Sequence, residues 1–188
     1  MKEKVMELLK NKRLVGGVVA ALVVLIVIIL LGKVVFSSKP KKYEDKVKDI
    51  VKALYSEDKM KDAIDDKLID VKAAAAWMEA DQEAEDFKKE YKKLKKKADE
   101  IEDMEEGLKE FAKKSDSYST DYKVKNIKEP KKDKDNKKIY TVTATLVPGN
   151  SDSGKQIKVV FYKGKVIDVM IKDYENTSMF ELAVKTNK

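Results

Sequence analysis

The chain has 188 residues, of which 40% are charged and 43% hydrophobic, with a formal net charge of +7; that length admits one membrane segment plus one ordinary domain. It contains no cysteine and no histidine, which excludes disulfides, thiolate metal sites, thiol nucleophiles, imidazole bases and imidazole ligands. Its basic residues are lysines apart from Arg13 and are interleaved with 34 acids. That pattern lacks the arginine forks that read phosphate and guanine, so no nucleic-acid partner is expected.

Residues 1–13 are a short basic tail carrying Lys2, Lys4, Lys10, Lys12 and Arg13. From Leu14 to Gly32 the run LVGGVVAALVVLIVIILLG holds no charge. As a helix it is long enough to cross a hydrocarbon core of about 30 Å. Val34, Val35 and Phe36 extend it, so residues 14–36 are expected to be a transmembrane helix contacting the lipid bilayer. The run is longer than a signal-peptide core and no Ala-x-Ala site follows it, which predicts an uncleaved anchor. Lysines lie on both sides, so the positive-inside count is nearly balanced; a short basic tail nonetheless stays cytoplasmic while a long domain translocates. The expectation is a single-pass protein of the cell membrane with a cytoplasmic N-terminus and an extracytoplasmic C-terminal domain. Gly16-x-x-x-Ala20 and Gly17-x-x-x-Ala21 offer a close-approach face for a homo-oligomer.

After a linker at 37–42, residues 43–114 read as the helical part of the domain. Tyr43, Val47, Ile50, Val51 and Leu54 recur at helical spacing, and Ser56 before Glu57 and Asp58 is an N-cap signal. Met60, Ile64, Leu68, Val71, Ala75 and Met78 form a second stripe. A longer register follows through Trp77, Ala80, Ala84, Phe87, Tyr91, Leu94, Ala98, Ile101 and Leu108. Large and small residues alternate along it, which suits packing within one chain, while a self-associating membrane-proximal stalk is the alternative. Acids at Asp81 to Asp86 and Asp99 to Glu106 meet lysines at i,i+3 and i,i+4 spacing and read as a solvated face, so no metal site is expected.

Residues 115–173 read as the β part. Tyr122 to Ile127 is a short strand and Glu129 to Lys138 a polar connection. In Ile139 to Val147, Tyr140, Val142, Ala144 and Leu146 face one way, with Ile139 and three threonines on the other. Ile157 to Tyr162 and Val166 to Ile171 flank Lys163-Gly164, a two-residue hairpin signal, and both are apolar on two faces, as covered strands are. Asp133-x-Asp135-Asn136 and Asn150-x-Asp152-x-Gly154 lack the glycine and carboxylate of a calcium loop and read as turns. Residues 174–188 form a tail, either a last strand or a loose end.

The order predicts an α+β domain of two or three helices packed on a three- to four-stranded antiparallel sheet. The KKIYTVTATLV strand and the QIKVVFYKGKVIDVMI hairpin resemble the nuclear transport factor 2-like (cystatin-like) superfamily, including its membrane-anchored bacterial members. That resemblance implies helices packed into a curved antiparallel sheet, often around an apolar pocket, in enzymes and non-enzymes alike. Trp77, Phe87 and Tyr91 are the candidate pocket residues. Alternation places Asp168 with Ile157, Val159, Phe161, Val166 and Met170, where a carboxylate acquires a raised pKa and the makings of a general base. No catalytic constellation or cofactor motif accompanies it. The chain is therefore expected to be a non-enzymatic binding or adaptor protein for an envelope protein or apolar ligand, with a pocket enzyme built on Asp168 as the remaining alternative.

Overall fold

The computed structural model describes residues 39–94, 97–116, 122–149, 151, 153–172 and 176–185. The chain divides into two units, Met1–Lys42 and Tyr43–Lys188, and the described elements belong to the second apart from the first residues of one helix. The 14–36 segment lies outside the described residues; among these, no helix is long and apolar enough to cross a membrane.

Five helices precede the sheet. α1 (Lys39–Leu54) begins inside the stretch expected as a linker and buries its stripe of Val47, Ile50, Val51 and Leu54. α2 (Glu57–Asp65) is capped by Ser56, whose Oγ accepts from Lys59 N at 3.5 Å, with Glu57 and Asp58 in the first turn. α3 (Val71–Glu79) is capped by Asp70, whose Oδ1 accepts from Ala73 N at 3.0 Å. Its buried alanines, Ala73 to Ala76, have too little bulk to hold a neighbour away, and the helix packs close to the sheet. α4 (Ala84–Lys93) and α5 (Ala98–Asp116) complete the layer.

The long register from Trp77 to Leu108 is not one helix. Asp81 and Gln82 take left-handed backbone angles (φ 48° and 63°), and Gln82 N–H closes back onto Trp77 O at 2.9 Å, which ends α3. The second break falls in a run where five lysines surround Leu94 between positions 92 and 97, a repulsive sequence for a helix. Trp77, Phe87, Leu94 and Leu108 are buried in the domain's own core.

The strands pair antiparallel, and a single parallel bridge joins Ile69 to Val166. β3 (Ile139–Pro148), β4 (Lys155–Tyr162) and β5 (Lys165–Ile171) form a meander, and four short pieces cover its outer edges. β1 (Tyr122–Lys125) and β2 (Lys131–Lys132) pair with opposite ends of β3. On the far side, β6 (Thr177–Ser178) pairs with the end of β5, and Ile69 bridges to Val166 at its start. The β4–β5 hairpin turns in two residues, Lys163 (φ 50°) and Gly164 (φ 81°), the left-handed pair that matches strand twist. Lys46 Nζ donates to the carbonyl of Gly164. Tyr55, between α1 and α2, stacks on Tyr122 of β1 with ring centroids 4.4 Å apart.

What the sequence presents as a tail carries β6 and then α6 (Met179–Lys185), with Met179, Phe180 and Ala183 buried. α6 lies against α5 at Gly107, where a Cβ would sit 3.0 Å from Ala183 O. Among the described residues the architecture is thus α+β, with six helices where two or three were expected and two very short strands beyond the four read from the sequence. The excess has two causes. The expected long helix is interrupted, and β2 and α6 are too short to leave a periodic signal.

Candidate functional site

β5 carries a bulge. Phe161 pairs with Val166 and Val160 pairs with Asp168, leaving Ile167 as the extra residue. Simple alternation grouped Asp168 with Ile157, Val159, Phe161 and Val166. The bulge instead places it opposite Val160, on the face shared with Lys158 and Met170, while Ile157 and Val159 lie opposite Ile171 and Val169 on the other.

In that position the Asp168 carboxyl is fully buried. Its Oδ1 accepts from Ser178 Oγ at 2.8 Å and from Val169 N at 2.7 Å. Ser178 Oγ in turn accepts from Glu181 N at 3.0 Å, at the start of α6. The Trp77 indole N–H and the Phe180 backbone N–H face the carboxyl and favour its ionised form. The indole does not reach hydrogen-bond geometry, however, and both Trp77 Nε1 and Asp168 Oδ2 stay without an aligned partner. Burial outweighs these donors and raises the Asp168 pKa to about 7. The acid ties β5 to β6 and the start of α6, with α3 alongside through Trp77.

The aromatic candidates adjoin the same cluster. Phe87 packs edge-on to Trp77 with centroids 6.1 Å apart, and against Tyr162 of β4 at 4.8 Å. Tyr91 lies 5.6 Å from both Phe87 and Tyr162, and Lys72 Nζ sits 5.0 Å over its ring. Burial raises the Tyr91 phenol pKa, with a contribution from the Asp70 carboxylate. Phe87 is 1% exposed and Trp77 5%, so these rings are core, with only Tyr91 half-exposed.

Two open grooves flank this core. One, of about 520 Å3, is lined by Phe87, Tyr91 and Tyr162 from the core side and by Lys137 and Lys138 from the β2–β3 connection. The other, of about 350 Å3, runs over Trp77, Gln82, Thr141 and Lys158, with Lys131 and Lys134 at its side. Asp168 lines neither. A general base must come within hydrogen-bonding reach of the proton it takes, and this carboxyl is sealed beneath Trp77 and Ser178. The structure therefore brings Trp77, Phe87, Tyr91 and Asp168 together as one packed cluster and not as the lining of one cavity.

Glu90 pairs with Lys93, Glu100 with Lys97 and Glu105 with Lys109 at i,i+3 or i,i+4 spacing, while Lys97 also reaches Glu79 across the fold. No group of carboxylates suited to a metal occurs among the described residues. Asp133 Oδ1 accepts from Asp135 N and Asn136 N at 2.8 and 3.0 Å, a turn closed by its own side chain. The Asn150-x-Asp152 sequence has both named residues outside the described set.

Sequence reasoning missed Ser178 and Tyr162. Ser178 stands ten residues from its acid, and nothing in that spacing announces the contact. Tyr162 ends a strand whose aromatic was visible, but its face depended on pairing register. No protein-family model, curated protein or solved structure matches the chain.

Proposed function

We propose that the chain is a single-pass membrane-anchored protein presenting its α+β domain on the extracytoplasmic side as a binding or adaptor module without catalytic activity. The carrying observation is the charge-free run Leu14–Gly32 bracketed by Arg13 and Lys33, whose length matches a bilayer core. The domain supports the second half of the reading. With no histidine or cysteine, the fully buried carboxyl of Asp168 has a structural task, and the two grooves are open and lined by lysines, a few acids, threonine and aromatic edges. Helices followed by an antiparallel meander are also what a nuclear transport factor 2-like relative would contain.

The test is fractionation of cells expressing the intact chain, followed by alkaline extraction and protease treatment from the outer side. The expected outcome is full retention in the membrane pellet, with the domain digested only when protease has access to the extracytoplasmic face. Recovery of intact chain in the aqueous fraction without detergent would overturn the anchor. Protection from external protease in sealed cells would reverse the orientation.

A further inference from the structure

We infer that the open end of the sheet face bearing Asp168 is a binding surface for a linear, base-free polyanion carrying phosphate groups. The inference deepens the binding-module reading by naming the partner's chemistry, and it does not depend on the anchor.

Strand register carries the argument. Directly opposed residues of an antiparallel pair share a face. Lys125 opposes Thr145, Lys131 opposes Thr141, and Lys158 opposes Thr143; Lys123 lies two residues before Lys125 and so on the same side. Four strands thus place Lys123, Lys125, Lys131 and Lys158 on one face around the ladder Thr141, Thr143 and Thr145. The Asp168 end of this face is closed by Trp77. At the other end the threonines and Lys158 are half-buried, and Lys123, Lys125 and Lys131 are exposed. The acid that the strands place on this face is Asp168, which is sealed in the core, while Asp133 and Asp135 of the β2–β3 connection line the groove beside Lys131 and Lys134.

Charge balance points the same way. Between Tyr43 and Asp116 the sequence has 17 lysines and 23 acids, net −6; between Tyr122 and Lys172 it has 13 lysines and five acids, net +8. The ion pairs described above lie on helices. None of the four platform lysines has an ion-pair partner among the described residues, and Lys158 Nζ donates to the neutral Asn176 Oδ1 at 3.2 Å. Asp133, beside the platform, has its Oδ1 engaged by two backbone N–H groups.

Shape selects among anions. Thr141 and Lys158 lie in the 350 Å3 groove against Trp77 and Gln82, where a chain can enter and a flat bilayer touches only the sides. The face has no arginine fork, and the rings at its groove are buried (Trp77) or half-buried (Tyr140), so charge is what it chiefly reads. The hydroxyls of Thr143 and Thr145 supply neutral donors to the same oxygens, while Thr141 Oγ1 donates to Lys131 O at 3.4 Å.

The experiment uses the full-length chain in detergent micelles, so that binding is measured whatever fraction the chain is recovered in. The probe is long-chain inorganic polyphosphate, with a single-stranded oligonucleotide and anionic lipid vesicles as competitors. One variant replaces the platform lysines (K123Q, K125Q, K131Q, K158Q); a control of equal net charge replaces Lys48, Lys67, Lys88 and Lys89 by Gln. Unfolding curves are recorded for both. The platform variant should bind about a hundredfold more weakly, with a log–log salt slope shallower by about 3, as loss of four counterion-releasing contacts to a single chain predicts. The control should stay within about threefold of the parent. Equal losses in both variants, tighter binding to oligonucleotide or vesicles than to polyphosphate, or no salt-sensitive binding would each overturn the assignment.

Discussion

The two ends of one sheet face obey different rules. At the Trp77 end, Ile139, Val160 and Tyr162 are buried, Tyr162 against the rings of Phe87 and Tyr91 from α4, and the face even encloses a carboxyl. At the far end the same strands present half-buried threonines and exposed lysines beside a buried Val147. The backbone ladder continues unbroken between them, so the contrast arises from where the helices lie and which side chains meet them. A sheet face is thus divided by its cover, and each half can be perturbed separately.

The largest effect should come from the covered end. Trp77→Ala removes the ring over Asp168 and leaves a cavity that the packed alanines of α3 cannot fill. It should destabilise the domain by about 3–5 kcal/mol, read as a lowered denaturant midpoint. An equally large loss from Thr143→Ala at the open end would erase the distinction.

Asp168→Asn sharpens the comparison through pH. The folded pKa of Asp168 lies near 7, above the ordinary carboxyl value of 3.8, because burial favours the neutral acid. The folded state therefore holds a proton that the unfolded chain releases. This group's contribution is fully present below the unfolded value and is lost as pH rises through about 7. The parent should lose stability relative to the variant between about pH 4 and 7, by on the order of 3 kcal/mol, in paired thermal melts. Parallel pH profiles for the two proteins would remove Asp168 as the cause.

Gly107→Ala tests the α5–α6 contact that supports the covered end, since a new Cβ would crowd Ala183 O at 3.0 Å. A loss of about 1–3 kcal/mol is expected, visible first as faster amide exchange in α6. The smallest effect should be at the open end, where Thr143→Val or Lys125→Gln should leave stability within about 0.5 kcal/mol of the parent by denaturant titration.

Much of this division was written locally. The alternation of Ile139 to Val147 placed three threonines on one side and Val142, Ala144 and Leu146 on the other, and the strand keeps that order. Ser56 caps its helix and Lys163-Gly164 turns its hairpin because both signals act within a few residues. The face of Asp168 was not legible: a single bulge residue, Ile167, reverses alternation, and bulges are settled by packing across strands. The breaks in the Trp77–Leu108 register were hidden for a related reason. Asp81 occupies a left-handed helix end usually marked by glycine, so the stop had no conspicuous residue. Likewise, the four platform lysines are scattered over 36 positions and become neighbours only through the pairing of β1 to β4.

The short pieces flanking the meander have a further consequence. β1 and β2 occupy the two ends of one outer strand, with Lys128 N–H donating to Thr143 O between them at 2.8 Å; Ile69 and β6 do the same service for the opposite strand. A neighbour seeking to zip its own backbone onto this sheet finds most rungs taken, which guards the domain against edge-to-edge fibre growth at crowded surfaces. For the proposed partner of the sheet face, side chains are then the holding groups, open to tuning one residue at a time without disturbing the ladder beneath.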